Sequence, residues 1–238
     1  PGFFHYFRGF FAAQTAQAVA FKASPKTKNP DILGWDEAMR GSDAKRKKWL
    51  EAADAELKAL ADHGTWVEVP KSEAESKIVP LTWSFRKKRA PDGSLKKYKG
   101  RICVRGDLEP KTPTDETYAP VVQNSSIRLF LILVLFLGWY SCSVDFSSAF
   151  LHSFLPKPRW VQLPRGYRST KGPNTCLRLV KSLYGSVIAP NLWWKTLSKA
   201  LYKLGFKSSR VDPCLMYRGR MMLITFVDDL GVAAEHED

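Results

Sequence analysis

The spacing of apolar and polar positions changes period several times along the chain, and each change predicts an element. From residue 35 to about 63 the period is helical. Trp49, Leu50, Ala53, Leu57 and Leu60 share one face, with Lys, Asp and Glu on the other. Gly64 stops this helix, because glycine tolerates a left-handed cap. Residues 65–70 then read as a short strand. Leu81–Arg89 and residues 95–105 alternate with a period of two around a Pro91-Asp92-Gly93 turn. This predicts a β-hairpin with Trp83 and Phe85 facing inward and its charges facing out. Residues 106–124, rich in Pro and Thr, predict a loop.

Further on, Ser125 is placed to cap an apolar helix that Gly138 ends. The apolar run over 127–140 is too short to span a bilayer and suits a buried core helix. Residues 141–146 read as a strand that ends in an acid, and 147–154 as the start of a helix. An extended stretch follows, with turns at 164–166 and 171–173. A helix is predicted over 190–204, with Leu192, Trp193, Leu197, Ala200, Leu201 and Leu204 on its apolar face and Gly205 as its stop. Residues 221–227 and 230–234 are apolar runs joined by Asp228-Asp229, a hairpin with acids at its tip. Residues 1–33 show no sustained period. Pro25, Lys26, Lys28 and Pro30 mark them as a poorly packed linker. The rest, 34–238, reads as one α+β domain of helices and antiparallel strands.

Composition sharpens this picture. An apolar share of 45% over 238 residues suffices for a sizeable core and excludes wholesale disorder. The net charge of +14 points to a polyanionic partner. The charge is concentrated: residues 81–111 hold ten basic side chains and three acidic ones, and no acid lies between Asp145 and Asp212. Both stretches are interleaved with aromatic rings, which stack on bases while cations meet phosphates. Cys103, Cys142, Cys176 and Cys214 lack metal-ligand spacing and read as reduced thiols of an intracellular protein. The N-terminus begins with Pro1 and lacks the features of a signal peptide, so the chain reads as an internal piece of a longer product.

Against this basic background three carboxylates stand out. Asp145 ends one apolar strand, and Asp228 and Asp229 end another, 83 positions later. An Asp-Asp dipeptide between strands is by itself most often a turn, and a lone Asp after a strand a helix cap. Brought together, three acids repel unless cations neutralise them. Hard divalent ions take such oxygen ligands. Two ions about 4 Å apart can activate a primer 3′-hydroxyl and stabilise leaving pyrophosphate.

The ordered motifs from Trp35 to the end resemble the reverse transcriptase of copia-type retrotransposons. The resemblance rests on the helix over 49–60 with Gly64-Thr65-Trp66, then on Trp83, Phe85, Arg86, Lys88, Asp92, Gly93, Tyr98, Lys99, Arg101, Val104 and Gly106. Tyr118-Ala119-Pro120-Val121-Val122 and Ile127-Arg128 follow, then Asp145 with Ala149-Phe150-Leu151, and Leu163-Pro164 with Gly166. Leu179, Lys181, Leu183-Tyr184-Gly185, Ala189-Pro190, Trp193, Leu204-Gly205-Phe206, Asp212-Pro213-Cys214-Leu215 and Phe226-Val227-Asp228-Asp229 complete the series. The resemblance implies a right-hand polymerase with fingers and palm, and leaves no room for a thumb or RNase H. It makes Asp145, Asp228 and Asp229 the ligands of two Mg²⁺ ions, with Mn²⁺ as a substitute. Phe150 resembles the gate that excludes a ribose 2′-hydroxyl. Lys88 and Arg101 resemble the cations that grip the incoming deoxynucleoside triphosphate, and Tyr184 and Gly185 the lining of the nucleotide pocket. The implied partners are an RNA or DNA template-primer and adjoining integrase and RNase H domains, with no membrane.

Several positions depart from the family pattern. Phe226 replaces Tyr, Glu109 replaces Gln, Ser153 replaces Gly, Asn191 replaces Arg, and Ser186-Val187-Ile188 replaces Leu-Lys-Gln. These departures predict a decayed copy of low activity. The rival expectations are a non-catalytic nucleic-acid-binding remnant and a membrane-associated protein.

Overall fold

The computed structural model describes residues 29–236. The first part runs β1 (Ile32–Leu33), α1 (Trp35–Met39), α2 (Asp43–Asp62), β2 (Trp66–Pro70), β3 (Leu81–Arg89) and β4 (Leu95–Val104). Then come α3 (Asn124–Leu137), β5 (Tyr140–Asp145), β6 (Phe154–Val161), β7 (Thr175–Lys181) and α4 (Ala189–Lys203). The last part is β8 (Lys207–Ser208), β9 (Leu215–Arg218), β10 (Met221–Phe226) and β11 (Asp229–Ala234). The ladders between these strands are antiparallel and form sheets of order β1-β3-β4, β2-β7-β6 and β5-β11-β10-β9-β8. This is the mixed helix and antiparallel-sheet architecture that the periodicities predict.

The chain folds as two compact units. One comprises Pro30–Pro120 and Ser148–Ala200 and holds the two three-stranded sheets. Its core grows from the basic hairpin β3–β4. Trp83 and Phe85 point inward and stack 5.1 Å apart, and Trp49 of α2 packs 5.4 Å from Phe85. Burying each such ring stabilises the unit by about 1.5–3 kcal/mol. Gly100 on β4 faces this helix. A Cβ there would lie 3.2 Å from the Ala52 carbonyl and 3.1 Å from the Phe85 ring, so a bare backbone lets α2 approach. The helical stretch over 35–63 is two helices rather than one, with a break at Arg40-Gly41-Ser42, since Gly destabilises a helix interior and Ser favours its start. Leu50, expected on the buried face, is 40% exposed.

The other unit comprises Val121–Ser147 and the chain from Leu201 on, and holds the five-stranded sheet. Helix α3 lies on this sheet. Ile127, Phe130 and Val134 are buried, and a Cβ at Gly231 would come 3.6 Å from the Phe130 ring. The helix begins one residue before Ser125, at Asn124 after Gln123, whose N–H donates to the buried Asp212 carboxylate at 2.8 Å. Gly138 ends it with φ +65°. The expected core helix is buried along one stripe only. Leu129, Ile132, Leu135 and Phe136 are exposed, Phe136 to 83%. A sheet covers only one stripe of a helix, whatever the composition of its other face.

Other expectations shift locally. Residues 147–154 form only a tight 3-10 turn over Ala149–His152 before β6 begins. The linker assigned to 1–33 lies outside the described residues up to residue 28. Ile32–Leu33 forms a short strand on β3, fastened by Arg89 Nε to Asp31 Oδ2 at 2.7 Å. Among the described residues no helix is long and apolar enough to cross a membrane.

Candidate active site

The three acids lie at one end of the five-stranded sheet. Strand β5 pairs with β11 in a register that sets Asp145 directly opposite Asp229. Strands β10 and β11 form a hairpin in which Phe226 pairs with Asp229, so the two-residue turn is Val227-Asp228 and Asp229 opens the return strand. The Phe146 N–H donates to the Asp228 carbonyl at 2.8 Å and closes the end of the sheet. Only one of the two adjacent acids therefore sits at the tip. Burial, followed by the negative charges of Asp228 and Asp145, pushes the Asp229 carboxyl above its usual range. Like charges directly opposite in a ladder are destabilising. Two non-glycine residues among those described have positive φ: Val227 (55°) in this turn and Ser148 (57°), three residues past Asp145. For β-branched Val this conformation carries strain, which persists only where surrounding structure imposes it.

Among the described residues no three His, Cys, Asp or Glu side chains are gathered closely enough to form a metal cage. The ladder register, rather than a formed cage, brings the acids together. Their chemistry still fits Mg²⁺, which typically takes one or two carboxylates and completes its shell with water and substrate phosphate.

The other predicted site residues lie in the hairpin unit. Arg101 on β4 stacks over the Tyr184 ring, with Cζ 4.7 Å from the centroid. Phe150 meets the same ring edge-on at 5.1 Å. Gly185 has φ +84°, and a Cβ there would lie 2.3 Å from the Val104 carbonyl, so its loop presses on β4 as only glycine permits. Lys88 is not drawn into this group. It pairs with Lys97, whereas Arg101 pairs with Ser84, four positions along β3, or roughly 13 Å. The outward face of the hairpin carries Arg86, Lys88, Lys97, Lys99 and Arg101, with Arg86 opposite Lys99. Burial, then Arg101 and Lys88, pushes the Lys99 amine below its usual range. Alternation in the sequence marks this face; Arg86 and Lys99 belong to the motif series without a site role, and Lys97 lies outside it. Glu56 of α2 likewise has no site role there. Its carboxylate accepts the Ile102 N–H at 3.4 Å, on the outer edge of β4.

Four of the departing residues are buried and paired. Glu109 accepts the Ser186 hydroxyl at 2.9 Å and the Val187 N–H at 2.9 Å, and faces Arg159 Nη1 at 3.4 Å. The Ser153 hydroxyl meets that of Thr196 at 2.9 Å, and Asn191 Nδ2 donates to the Tyr118 carbonyl. The substitutions at 109 and 186, 77 positions apart, thus join each other.

Residues 63–237 match the family described as reverse transcriptase (RNA-dependent DNA polymerase). The chain belongs to that family. As a reverse transcriptase it is of the copia type. It is 32% identical over 191 residues to the retrovirus-related Pol polyprotein from transposon RE1 of Arabidopsis thaliana, covering 78% of this chain and 13% of that protein. It is 29% identical over 202 residues to the Pol polyprotein from transposon TNT 1-94 of Nicotiana tabacum, covering 82% of this chain and 15% of that protein. A truncated transposon Ty1-A Gag-Pol polyprotein of Saccharomyces cerevisiae is 28% identical over 206 residues, covering 83% and 17%. The reverse transcriptase chain therefore spans less than a fifth of the length of these relatives.

Proposed function

We propose that this chain adds deoxynucleotides to a primer 3′-hydroxyl on an RNA or DNA template, with Asp145, Asp228 and Asp229 as ligands of two divalent cations. The observation that carries this is the Asp145–Asp229 register pair, with Asp228 one residue earlier on the turn. Mg²⁺, or Mn²⁺ in its place, supplies activation of the attacking hydroxyl and charge neutralisation at the leaving pyrophosphate. The protein residues hold and orient. The three carboxylates fix the position of positive charge at the sheet end. The Arg101 fork and the Lys88 point charge bind triphosphate oxygens. The Phe150 ring excludes a 2′-hydroxyl, and Tyr184 and Gly185 line the pocket. In this reading the unit holding β5, β10 and β11 is the palm, and the unit holding the basic hairpin the fingers. Integrase and RNase H domains adjoin it in the polyprotein, and its unpaired thiols, with Cys142 exposed, suit an intracellular setting.

Burial and pairing of Glu109, Ser153, Ser186 and Asn191 favour adaptation over decay at these positions. The test is primer extension by the purified chain on poly(rA)·oligo(dT) with Mg²⁺ or Mn²⁺. Wild type extends, and Asp228→Asn loses at least about a hundredfold, the scale of removing an electrostatic catalytic group. Equal extension by both would refute the assignment. A second reading, a non-catalytic nucleic-acid-binding remnant, rests on the basic hairpin face of Arg86, Lys88, Lys97, Lys99 and Arg101, which can meet phosphates without a metal. That reading expects no extension by wild type and template binding unchanged in Asp228→Asn.

A further inference from the structure

We propose that Tyr184 positions Arg101 for the triphosphate and couples that grip to the sugar gate at Phe150; this rests on the polymerase reading above. One ring touches both residues. The Arg101 guanidinium lies 4.7 Å above its face, and Phe150 meets it at 71° with centroids 5.1 Å apart. Stacking occupies the face of a guanidinium and leaves its N–H fork free. Among the described residues Arg101 forms no ion pair with a carboxylate, and its Nε is buried without a hydrogen-bond partner. Arg89, Arg105, Arg159 and Arg165 of the same unit are each paired with an acid. Arg101 is thus held in place and still short of an acceptor, as a site for a polyanion requires.

The backbone that carries the ring is tied on both sides. The Tyr184 carbonyl accepts the Val104 N–H at 2.7 Å, which ties it to the strand that carries Arg101. The Ser182 hydroxyl donates to the Phe150 carbonyl at 2.6 Å, and the Ser182 N–H to the Ser153 carbonyl at 2.8 Å. Gate and platform therefore hang from the same four residues, 182–185. A ribose 2′-hydroxyl that displaces the Phe150 ring displaces Tyr184, and the guanidinium loses its support. Sugar discrimination and triphosphate affinity are then linked, although no atom of a triphosphate need touch Phe150.

The test uses the full chain and equilibrium binding of inorganic tripolyphosphate, dTTP and UTP, each with Mg²⁺. Tyr184→Leu weakens tripolyphosphate about three- to thirtyfold, the worth of a cation–π contact, and narrows the preference for dTTP over UTP. Tyr184→Phe keeps both within about twofold, since the ring face remains. Phe150→Leu weakens tripolyphosphate by about twofold or more, although this probe has no sugar. A plain steric gate would leave that value unmoved, and this result would overturn the coupling even if Tyr184→Leu failed to fold. Arg101→Ala separates the two claims. If it weakens tripolyphosphate while Tyr184→Leu and Phe150→Leu do not, only the coupling falls. If it has no effect, the assignment of Arg101 as phosphate grip falls, and the coupling with it.

Discussion

Replacing Glu109 with alanine removes the centre of a buried polar network in the hairpin unit. The Glu109 side chain is 1% exposed and the Arg159 side chain 14%. The substitution leaves the Val187 N–H and the Ser186 hydroxyl without their acceptor. Arg159 retains Asp115 at 2.8 Å and the Pro110 carbonyl at 3.2 Å. Breaking a buried charged pair costs about 3–5 kcal/mol when the partner is stranded. Because Arg159 keeps a second acid, its share is smaller, and the two orphaned donors supply most of the loss at about 1–3 kcal/mol each. The expected total is about 3–4 kcal/mol. Glu109→Gln keeps one acceptor oxygen, and the Ser186 hydroxyl can rotate to accept from the new amide, so the loss falls to about 1–2 kcal/mol. Urea unfolding followed by tryptophan fluorescence reads this directly. With a slope of about 2 kcal/mol/M, Glu109→Ala lowers the midpoint by about 1.5–2 M and Glu109→Gln by about 0.5–1 M. A shift below about 0.3 M for alanine, or equal shifts for the two variants, would contradict the network.

Two other substitutions probe the same unit. Gly185→Ala forces a Cβ to 2.3 Å from the Val104 carbonyl at φ +84°, and is expected to destabilise by about 3 kcal/mol or more by urea unfolding; a neutral result would mean that the loop is not pressed on β4. Glu56 gives a pH signature: burial raises its carboxyl above the ordinary value of 4.5, outweighing the Ile102 N–H and the charges of Lys99 and Arg101. The folded state therefore holds the proton longer than the unfolded state. Its contribution lowers stability as pH rises from about 4.5 through the raised folded value, and the full penalty remains above it. Glu56→Gln, which keeps an acceptor for Ile102, is expected to flatten that slope in denaturation curves between pH 4.5 and 7, and an unchanged slope would remove Glu56 as its source.

Local pattern reveals those parts of the fold whose cause is local. The basic hairpin, α4 and the β10–β11 pair each follow from a run of matching period closed by Gly, Pro or Asp. The outer face of α3 shows the limit. Residues 127–137, apolar but for Arg128, look like a buried helix, yet the sheet beneath covers only the stripe through Ile127, Phe130 and Val134. Periodicity tells which residues are apolar and not how much surface is available to cover them. The candidate site divides in the same way. The acids are visible as carboxylates at strand ends in a basic chain, but their meeting depends on a register between strands far apart in sequence. The Glu109–Ser186 bond has no local signal at all. Each partner alone looks like a lapse from the family pattern, and only the fold shows that they satisfy each other.

The central claim is that Asp145, Asp228 and Asp229 share divalent cations. Its most direct measurement is Mn²⁺ binding by electron paramagnetic resonance, on the full chain with primer-template and dTTP. The account predicts that Asp145→Asn and Asp229→Asn each weaken the same bound Mn²⁺ by about tenfold or more, although the residues lie on different strands. Loss in Asp229→Asn with unchanged binding in Asp145→Asn would contradict it, because the two carboxylates would then not face a common ion.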